Sequence, residues 1–264
     1  MAGLEVAVPG VVLPSDMIAA IGPLCVQTAR DISIIRQGGR LLVTACDALG
    51  AIGSKPADVV AACEEICGAY TLRVCLNELA AVGATPLFVL SLVCNEWEPT
   101  GRRVLDGIRA ELVESGYPDL PVSGSSEQNM PTSMTGLGIA VVGTADSLRW
   151  RHTAPGDRLV LVGLPWVGSE VLEHSGELLR PSVVRSLIGQ DAVTDVIPCG
   201  SRGVRHELEV LESESGVRIV LHEPAPVDLD KSAGPATCAL VAVHGSLADC
   251  GLRTTELGFV EERS

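Results

Sequence analysis

Residues 75–92 read CLNELAAVGATPLFVLSL, and their reading decides the fold class. Leu76, Leu79 and Ala80 fall at the three- and four-residue spacing of a helix face, Gly83 supplies a stop, and residues 86–94 (PLFVLSLVC) form an unbroken apolar run of strand length. A helix that hands over to a buried strand within a few residues belongs to an alternating α/β chain. Asn77 and Glu78 interrupt the apolar stretch. A carboxylate in such company is costly to bury unless it is paired or bound to a metal.

The same reading extends outward. Upstream, residues 40–46 (RLLVTAC) read as a buried strand bounded by Gly38–Gly39 and by Asp47 at its exit. From Pro56 to Gly83 the segment predicts one long helix, with Val59, Cys63, Ile66, Cys67, Tyr70 and Val74 on one face. Downstream, Thr100 to Gly116 predicts an amphipathic helix with Val104, Ile108 and Leu112 inward, and residues 136–144 (GLGIAVVGT) a third strand. Polar and turn residues then cluster in TADSLRWRHTAPGD, which places a domain boundary there: residues 1–150 and 151–264. The second half carries strand patterns at 158–163, 217–222 and 238–244, and helical patterns near 167–179 and 203–214. No repeat of 20 to 50 residues and no low-complexity segment interrupts the chain.

Composition narrows the function. In 264 residues, 47% are hydrophobic and 20% charged, which excludes a disordered tail protein, and at 3% aromatics the core must be aliphatic. A formal charge of −14 without any basic run argues against nucleic acid as a partner. A polyphosphate ligand would need a divalent ion between itself and such an acidic molecule, a first pointer to magnesium. No apolar run approaches the roughly 18 residues of a membrane span, and MAGLEVAVPG lacks the basic start of a signal peptide, so a cytoplasmic protein without a membrane partner is expected. The nine cysteines, odd in number and mostly in apolar stretches, read as reduced, buried thiols. Without a CxxC or a suitably spaced histidine, zinc is not expected. Nor is there an HExxH or GxSxG pattern, and the glycines of GLGIAVVG precede a strand rather than form a dinucleotide-binding turn.

The densest polar segment is residues 123–136, SGSSEQNMPTSMTG. Gly124 allows close backbone approach, Ser125 and Ser126 offer hydroxyls and amides, and Glu127 suits a hard cation. A surface turn is the plainer alternative. Asp47 stands where a strand ends, a place where α/β folds gather ligands, though a turn acid fits equally. Asp31 is a second acid beside an apolar run. The only two lysines, Lys55 and Lys231, lie in small-residue loops where an ammonium could meet a phosphate or simply face solvent.

These segments carry a resemblance. CLNELAAVGATPLFVLSL is similar to the "NDL…GA.P" helix-to-strand signature of the superfamily that includes aminoimidazole ribonucleotide (AIR) synthetase, selenophosphate synthetase, thiamine monophosphate kinase and the hydrogenase-maturation carbamoyl dehydratase. ARDISIIRQGGRLLVTACDALG resembles the preceding stretch, SGSSEQNMPTSMTGLGIAVVG the loop with a Gly-Gly-Glu or Gly-Gly-Asp element, PGDRLVLVGLPWVGSE the start of the C-terminal domain, and CGSRGVRHELEVLESESGVRI its Asp-x-Thr-Arg-Gly-Gly helix. The resemblance implies a mixed α/β, AIR synthase-like fold of two domains, the C-terminal one shortened. It also implies a homodimer in which N-terminal sheets pair into a β-barrel, with ATP at the subunit interface.

By the same resemblance Asp31, Asp47, Glu78 and Glu127 fall on magnesium- and phosphate-binding acids, and Asn77 on a neighbouring polar contact. Asp47, Lys55 and Glu127 would act on the transferred phosphoryl group, with Gly124, Ser125, Ser126 and Asn129 beside the nucleotide. Thr132, Ser133, Lys231, Ser232 and Gly234 would face the acceptor. The sequence also departs from the pattern: Cys199 stands at an acid position, Ser125 replaces a glycine and Glu78 an aspartate. GFVEERS at the end has no cysteine for carbamoyl dehydration, and Cys25 lacks the lysine neighbour of selenophosphate synthetases. The expected activity is thus ATP- and Mg2+-dependent phosphoryl transfer to a small molecule, most like the α-ribazole kinases of cobamide salvage. The alternatives are a thiamine monophosphate kinase-like or AIR synthetase-like enzyme, and a nucleotide-binding module without catalysis.

Overall fold

The computed structural model describes residues 25–37 and 39–263, so the readings of the N-terminal residues and of Gly38 lie outside it. Strands β1 (Cys25–Ala29), β2 (Ile32–Gln37) and β3 (Arg40–Gly50) begin a sheet, and a short pair, β4 (Ile52–Gly53) and β5 (Val60–Ala61), leads into α1 (Glu64–Ala81). Then come β6 (Thr85–Val93), α2 (Arg102–Glu114), β7 (Val122–Ser126) and β8 (Gly136–Ala145). The six long strands are ordered β1-β2-β3-β8-β6-β7. All pair antiparallel except β6 with β7, which run parallel because α2 carries the chain back between them.

Burial along β8 alternates residue by residue, as a strand covered on one face requires. The covered face meets α1 and α2: Ile34, Val43, Val89, Ile139 and Val141 pack against Leu72, Leu76, Leu79, Ile108 and Leu112. Each such aliphatic side chain contributes about 1.5–3 kcal/mol when fully buried. The two helices approach closely because glycines face each other's backbone. A Cβ on Gly107 would stand 1.9 Å from the Glu65 carbonyl oxygen, and one on Gly68 2.3 Å from that of Val104. A buried two-pronged pair, Arg73 Nη2 to Glu111 Oε2 at 2.6 Å and Nε to Oε1 at 3.0 Å, fixes their register.

The second sheet contains β9 (Arg158–Gly163), β10 (Val193–Pro198), β11 (Arg218–Leu221), β12 (Cys238–Val243) and β13 (Thr254–Glu261), ordered β10-β12-β9-β13-β11 and antiparallel throughout. Short helices α3 (Glu170–Glu173) and α4 (Pro181–Ile188) and the longer α5 (Gly203–Ser215) connect them. Every residue of β12 is buried because both faces are covered. Val204, Leu208 and Leu211 of α5 cover one; Val184 and Leu187 of α4, with Ala80 and Ala81 of α1, cover the other. Helix α1 therefore lies between the two sheets, which is why it is buried on most sides, its polar Arg73, Asn77 and Glu78 included.

Several elements differ from the sequence reading. The helix expected from Pro56 begins only at Glu64, because the preceding segment is held in a loop: Asp58 accepts from the Lys55 amide at 2.8 Å and from the Thr135 amide and hydroxyl at 2.7 Å each. The expected helix at 167–179 is broken into α3 and a single 3-10 turn, Ser175–Glu177, before α4 starts at Pro181. Strands β1, β4, β5, β7, β10 and β13 were not expected. Of the thiols, Cys67, Cys75, Cys199 and Cys238 are buried, but Cys25, Cys46 and Cys94 are exposed, Cys46 because it alternates with the helix-facing Ala45 along β3 and Cys94 because it follows the end of β6. Among the described residues no helix is long and apolar enough to cross a membrane.

Candidate functional site

A cavity of about 740 Å³ opens between the two sheets, walled by the second half of β3, by α1, by the chain around α3, and by the 200–201 and 234–236 turns. Asp31, Asp47 and Glu78 all line it. Asp47 continues the helix-facing row of Val43 and Ala45 along β3. Asp31 sits in the β1–β2 turn, and Glu78 projects from the fourth turn of α1. Glu78 is 6% exposed, and its carboxylate has no hydrogen-bond partner among the described residues. A fourth acid stands beside them: the Gly200 amide points to Glu207 Oε1 of α5 at 3.5 Å. A Cβ on Gly200 would lie 3.8 Å from Asp31 Oδ2 and 4.0 Å from Glu207 Oε1, so the two carboxylates flank that glycine.

Burial and mutual repulsion raise these acids together. Asp47 is pushed up to about 6 by burial and by Asp31, and Glu207 to about 7 by burial and by Asp31. Burial, then Asp31 and Glu207, hold Glu78 well above the usual carboxylate range. Among the described residues no three His, Cys, Asp or Glu side chains stand close enough to hold a metal ion by themselves. Mg2+ usually takes one or two carboxylates and completes its shell with water and ligand phosphates. The unpaired Glu78 carboxylate and the hard oxygen donors beside it fit an ion that arrives with a phosphate.

Glu127 is elsewhere. It follows β7, three strands from β3 and thus roughly 14 Å away across the ladder. Its Oε1 accepts from the Asn129 amide at 2.7 Å, and it lines neither this cavity nor the next. Gly124, Ser125 and Ser126 line a separate hollow of about 510 Å³ with Ser91, Trp97 and Leu105. Of the four acids singled out in the first half, the structure brings Asp31, Asp47 and Glu78 to one cavity and leaves Glu127 outside it.

The lysines are engaged by protein carboxylates. Lys55 Nζ meets both oxygens of Glu96 at 2.9 and 2.8 Å, outside the cavity lining. Lys231 Nζ pairs with Glu170 Oε2 at 2.8 Å and lies 4.8 Å from the centre of the Trp166 ring, which stacks on His174 at 3.8 Å. Thr132 accepts from Asn95 Nδ2 at 2.7 Å, and the Ser133 carbonyl accepts from the Ala57 amide at 2.8 Å, so both brace the 128–135 loop. Ser232 receives the Gly234 amide at 3.5 Å, and of these acceptor-side residues Gly234 alone lines the cavity. Asn77 is buried with neither amide atom partnered among the described residues, outside the lining. Cys199 is buried directly before Gly200, its thiol raised well up by the neighbouring Cys238 and by burial. Sequence reasoning missed Glu207. The signal was there: it falls in the apolar stripe of Val204, Leu208 and Leu211, a costly place for an acid.

No family model and no curated protein matches the sequence. Solved structures match in fold. Thiamine monophosphate kinase from Aquifex aeolicus shares 16% identity at a TM-score of 0.62, over 84% of this chain and 86% of that one. AaThiL complexed with AMPPCP and TMP matches at 16% and 0.62, over 89% and 85%. HypE from E. coli, a hydrogenase maturation protein, matches at 15% and 0.62, over 98% and 86%. A HypE in complex with ATP matches at 14% and 0.61, over 84% and 77%. At such identities the likeness speaks for architecture, and the chain has the mixed α/β, AIR synthase-like fold of thiamine monophosphate kinase and HypE.

Proposed function

We propose that the chain is an ATP- and Mg2+-dependent small-molecule kinase whose chemistry is of the thiamine monophosphate kinase kind. The observation that carries this reading is the meeting of Asp31, Asp47 and the unpaired, buried Glu78 in one cavity. Neighbours of the same fold complexed with AMPPCP and TMP, or with ATP, support nucleotide binding. The finer expectation of α-ribazole as acceptor rests on sequence resemblance alone, and the solved neighbours favour a thiamine monophosphate kinase-like enzyme over it.

In this reading Asp47 and Glu78 would hold a magnesium ion, which would supply charge neutralisation at the phosphates, and Asp31 would close the same end from the β1–β2 turn. The protein's contribution is positioning and exclusion of water by the apolar walls, with no covalent enzyme intermediate. A homodimer fits the sheet face opposite the helices, where Phe88, Leu90 and Leu92 are exposed.

The test is ADP release from Mg-ATP with thiamine monophosphate, α-ribazole and formylglycinamidine ribonucleotide, for wild type and for Asp47→Asn. Turnover with one acceptor, reduced on the order of a hundredfold in the variant, supports the reading. Mg-ATP binding without transfer to any acceptor would instead favour a binding module.

A further inference from the structure

The buried thiols fall into two kinds. Cys67 Sγ donates to the Ile52 carbonyl at 3.3 Å, and Cys75 Sγ lies 3.4 Å from the Ile139 carbonyl and 3.5 Å from that of Thr71, so both are spent on backbone oxygens. The only carbonyl near Cys199 Sγ is that of Ile197, at 3.9 Å. Its nearer partner is the thiol of Cys238, whose hydrogen bond is the first cause of the raised Cys199 thiol.

Strand register brings these two together. In the antiparallel pairing of β10 with β12, Ile197 stands opposite Leu240 and Pro198 opposite Ala239, which puts the next residue, Cys199, opposite Cys238. The Cys199 amide donates to the Cys238 carbonyl at 2.9 Å. A hydrogen-bonded cross-strand pair holds its Cα atoms about 5.5 Å apart, inside the roughly 4.4–6.8 Å that a disulfide spans. Both side chains belong to the cluster that Val204, Leu208 and Leu211 of α5 cover, so they share one face of the sheet.

The pair sits at the root of the cavity wall. Gly200 and Ser201 follow Cys199, and Gly234, Pro235 and Ala236 come just before Cys238; all of them line the cavity. The Ala233 amide donates to the Gly200 carbonyl at 3.1 Å, so the two turns run side by side where they leave β10 and enter β12. A small molecule in the cavity is therefore one residue from Cys199 and two from Cys238, although both cysteines are closed to bulk solvent.

We propose that Cys199 and Cys238 form a site of reversible oxidation, at which hydrogen peroxide closes a cross-strand disulfide that ties the two cavity-lining turns at their roots. One sulfur, as its thiolate, attacks a peroxide oxygen; the O–O bond breaks, leaving a sulfenic acid and one water. The second sulfur attacks the sulfenic sulfur, the S–O bond breaks, and a second water leaves. The two thiols give up two electrons and two protons, and the peroxide takes them up as water. Because the neighbouring thiol and burial keep Cys199 protonated, the pair reacts more slowly than the exposed Cys25, Cys46 and Cys94, and the dithiol is its resting form. The site stands whether or not the cavity takes a nucleotide.

The test exposes the full reduced chain to hydrogen peroxide, stops the reaction with catalase, blocks remaining thiols with N-ethylmaleimide and maps non-reduced peptides by mass spectrometry. A link between Cys199 and Cys238 is expected, opened again by dithiothreitol. The thermal midpoint of the oxidised protein should exceed that of the same sample after dithiothreitol by at least about 4 °C, since the link restrains the unfolded chain. Cys199→Ala and Cys238→Ala should each abolish that reversible rise. Recovery of the two cysteines as free thiols, as unlinked sulfinic or sulfonic acids, or in links to other cysteines overturns the proposal. So does a link between them that leaves the midpoint unchanged or lowers it. The peptide map is read on the wild type, so it decides the matter even where an alanine variant fails to fold.

Discussion

Arg30 Nη2 donates to Asp195 Oδ1 at 2.9 Å, and this contact carries the β1–β2 turn across to β10 of the second sheet. The two side chains are 3% and 1% exposed, and Arg30 Nε also donates to Glu214 Oε2 at 2.9 Å. Asp31, the next residue, is thereby fixed at the cavity. Removing one partner of a buried pair leaves the other charge uncompensated, so Arg30→Ala should cost about 3–5 kcal/mol of unfolding free energy in urea titrations. Arg102→Ala breaks an exposed pair with Glu98 and should change nothing measurable. A small effect at Arg30 would mean that the latch does not hold the sheets together.

The raised carboxyl of Asp47 gives a pH signature. At about 6 in the fold, against roughly 3.9 for a free aspartate, it binds its proton more tightly folded than unfolded. Its stability contribution is therefore full below about pH 4 and is lost as pH rises through 6. Asp47→Asn should match wild type in thermal midpoint near pH 4 and exceed it at pH 8 without divalent ions. Taking the difference between the two proteins removes the opposing titrations of Asp58, Glu65 and Glu96, whose carboxyls lie low. A gap that is constant with pH would mean the charge of Asp47 is not strained in the fold.

What the sequence made legible was decided by side chains, and what it hid was decided by backbone pairing. Strands β3, β6, β8, β9 and β12 carry continuous or alternating apolar residues and could be read directly. Strand β7, VSGSS, has almost nothing apolar and is a strand only because its backbone pairs with β6 from Val89 to Val93. Asp31, Asp47 and Glu78 stood out as acids against apolar runs, whereas Glu127 stood out by loop composition, which says nothing of distance from the others. The lysine loops misled for a related reason: Glu96 and Glu170, the partners that engage both ammonium groups, are remote in sequence.

Lys55 and Glu78 should therefore behave differently on substitution. With its ammonium held by Glu96, Lys55→Met should lower kcat/KM for ADP formation less than tenfold, mainly by loosening the 51–58 loop. Glu78→Gln keeps the shape but removes the charge, and should lower kcat on the order of a hundredfold with the thermal midpoint maintained or raised. Steady-state kinetics on both variants checks the order. The reverse ranking would move the phosphate site to the Lys55 loop.

The open face of the first sheet leads to the last prediction. Phe88, Leu90 and Leu92 of β6 are 36%, 36% and 54% exposed, while their neighbours Val89 and Val93 are buried under the helices. A sheet face this apolar is ordinarily covered, and a second copy of the chain would cover it symmetrically. Light scattering should find a dimer at micromolar concentration, and Leu92→Asp should shift it to monomer with the far-ultraviolet circular dichroism unchanged. Each chain carries a formal charge of −14, so two copies repel, and screening should tighten the dimer as salt rises toward physiological strength. A wild type that stays monomeric across that range would leave the sheet face to some other partner.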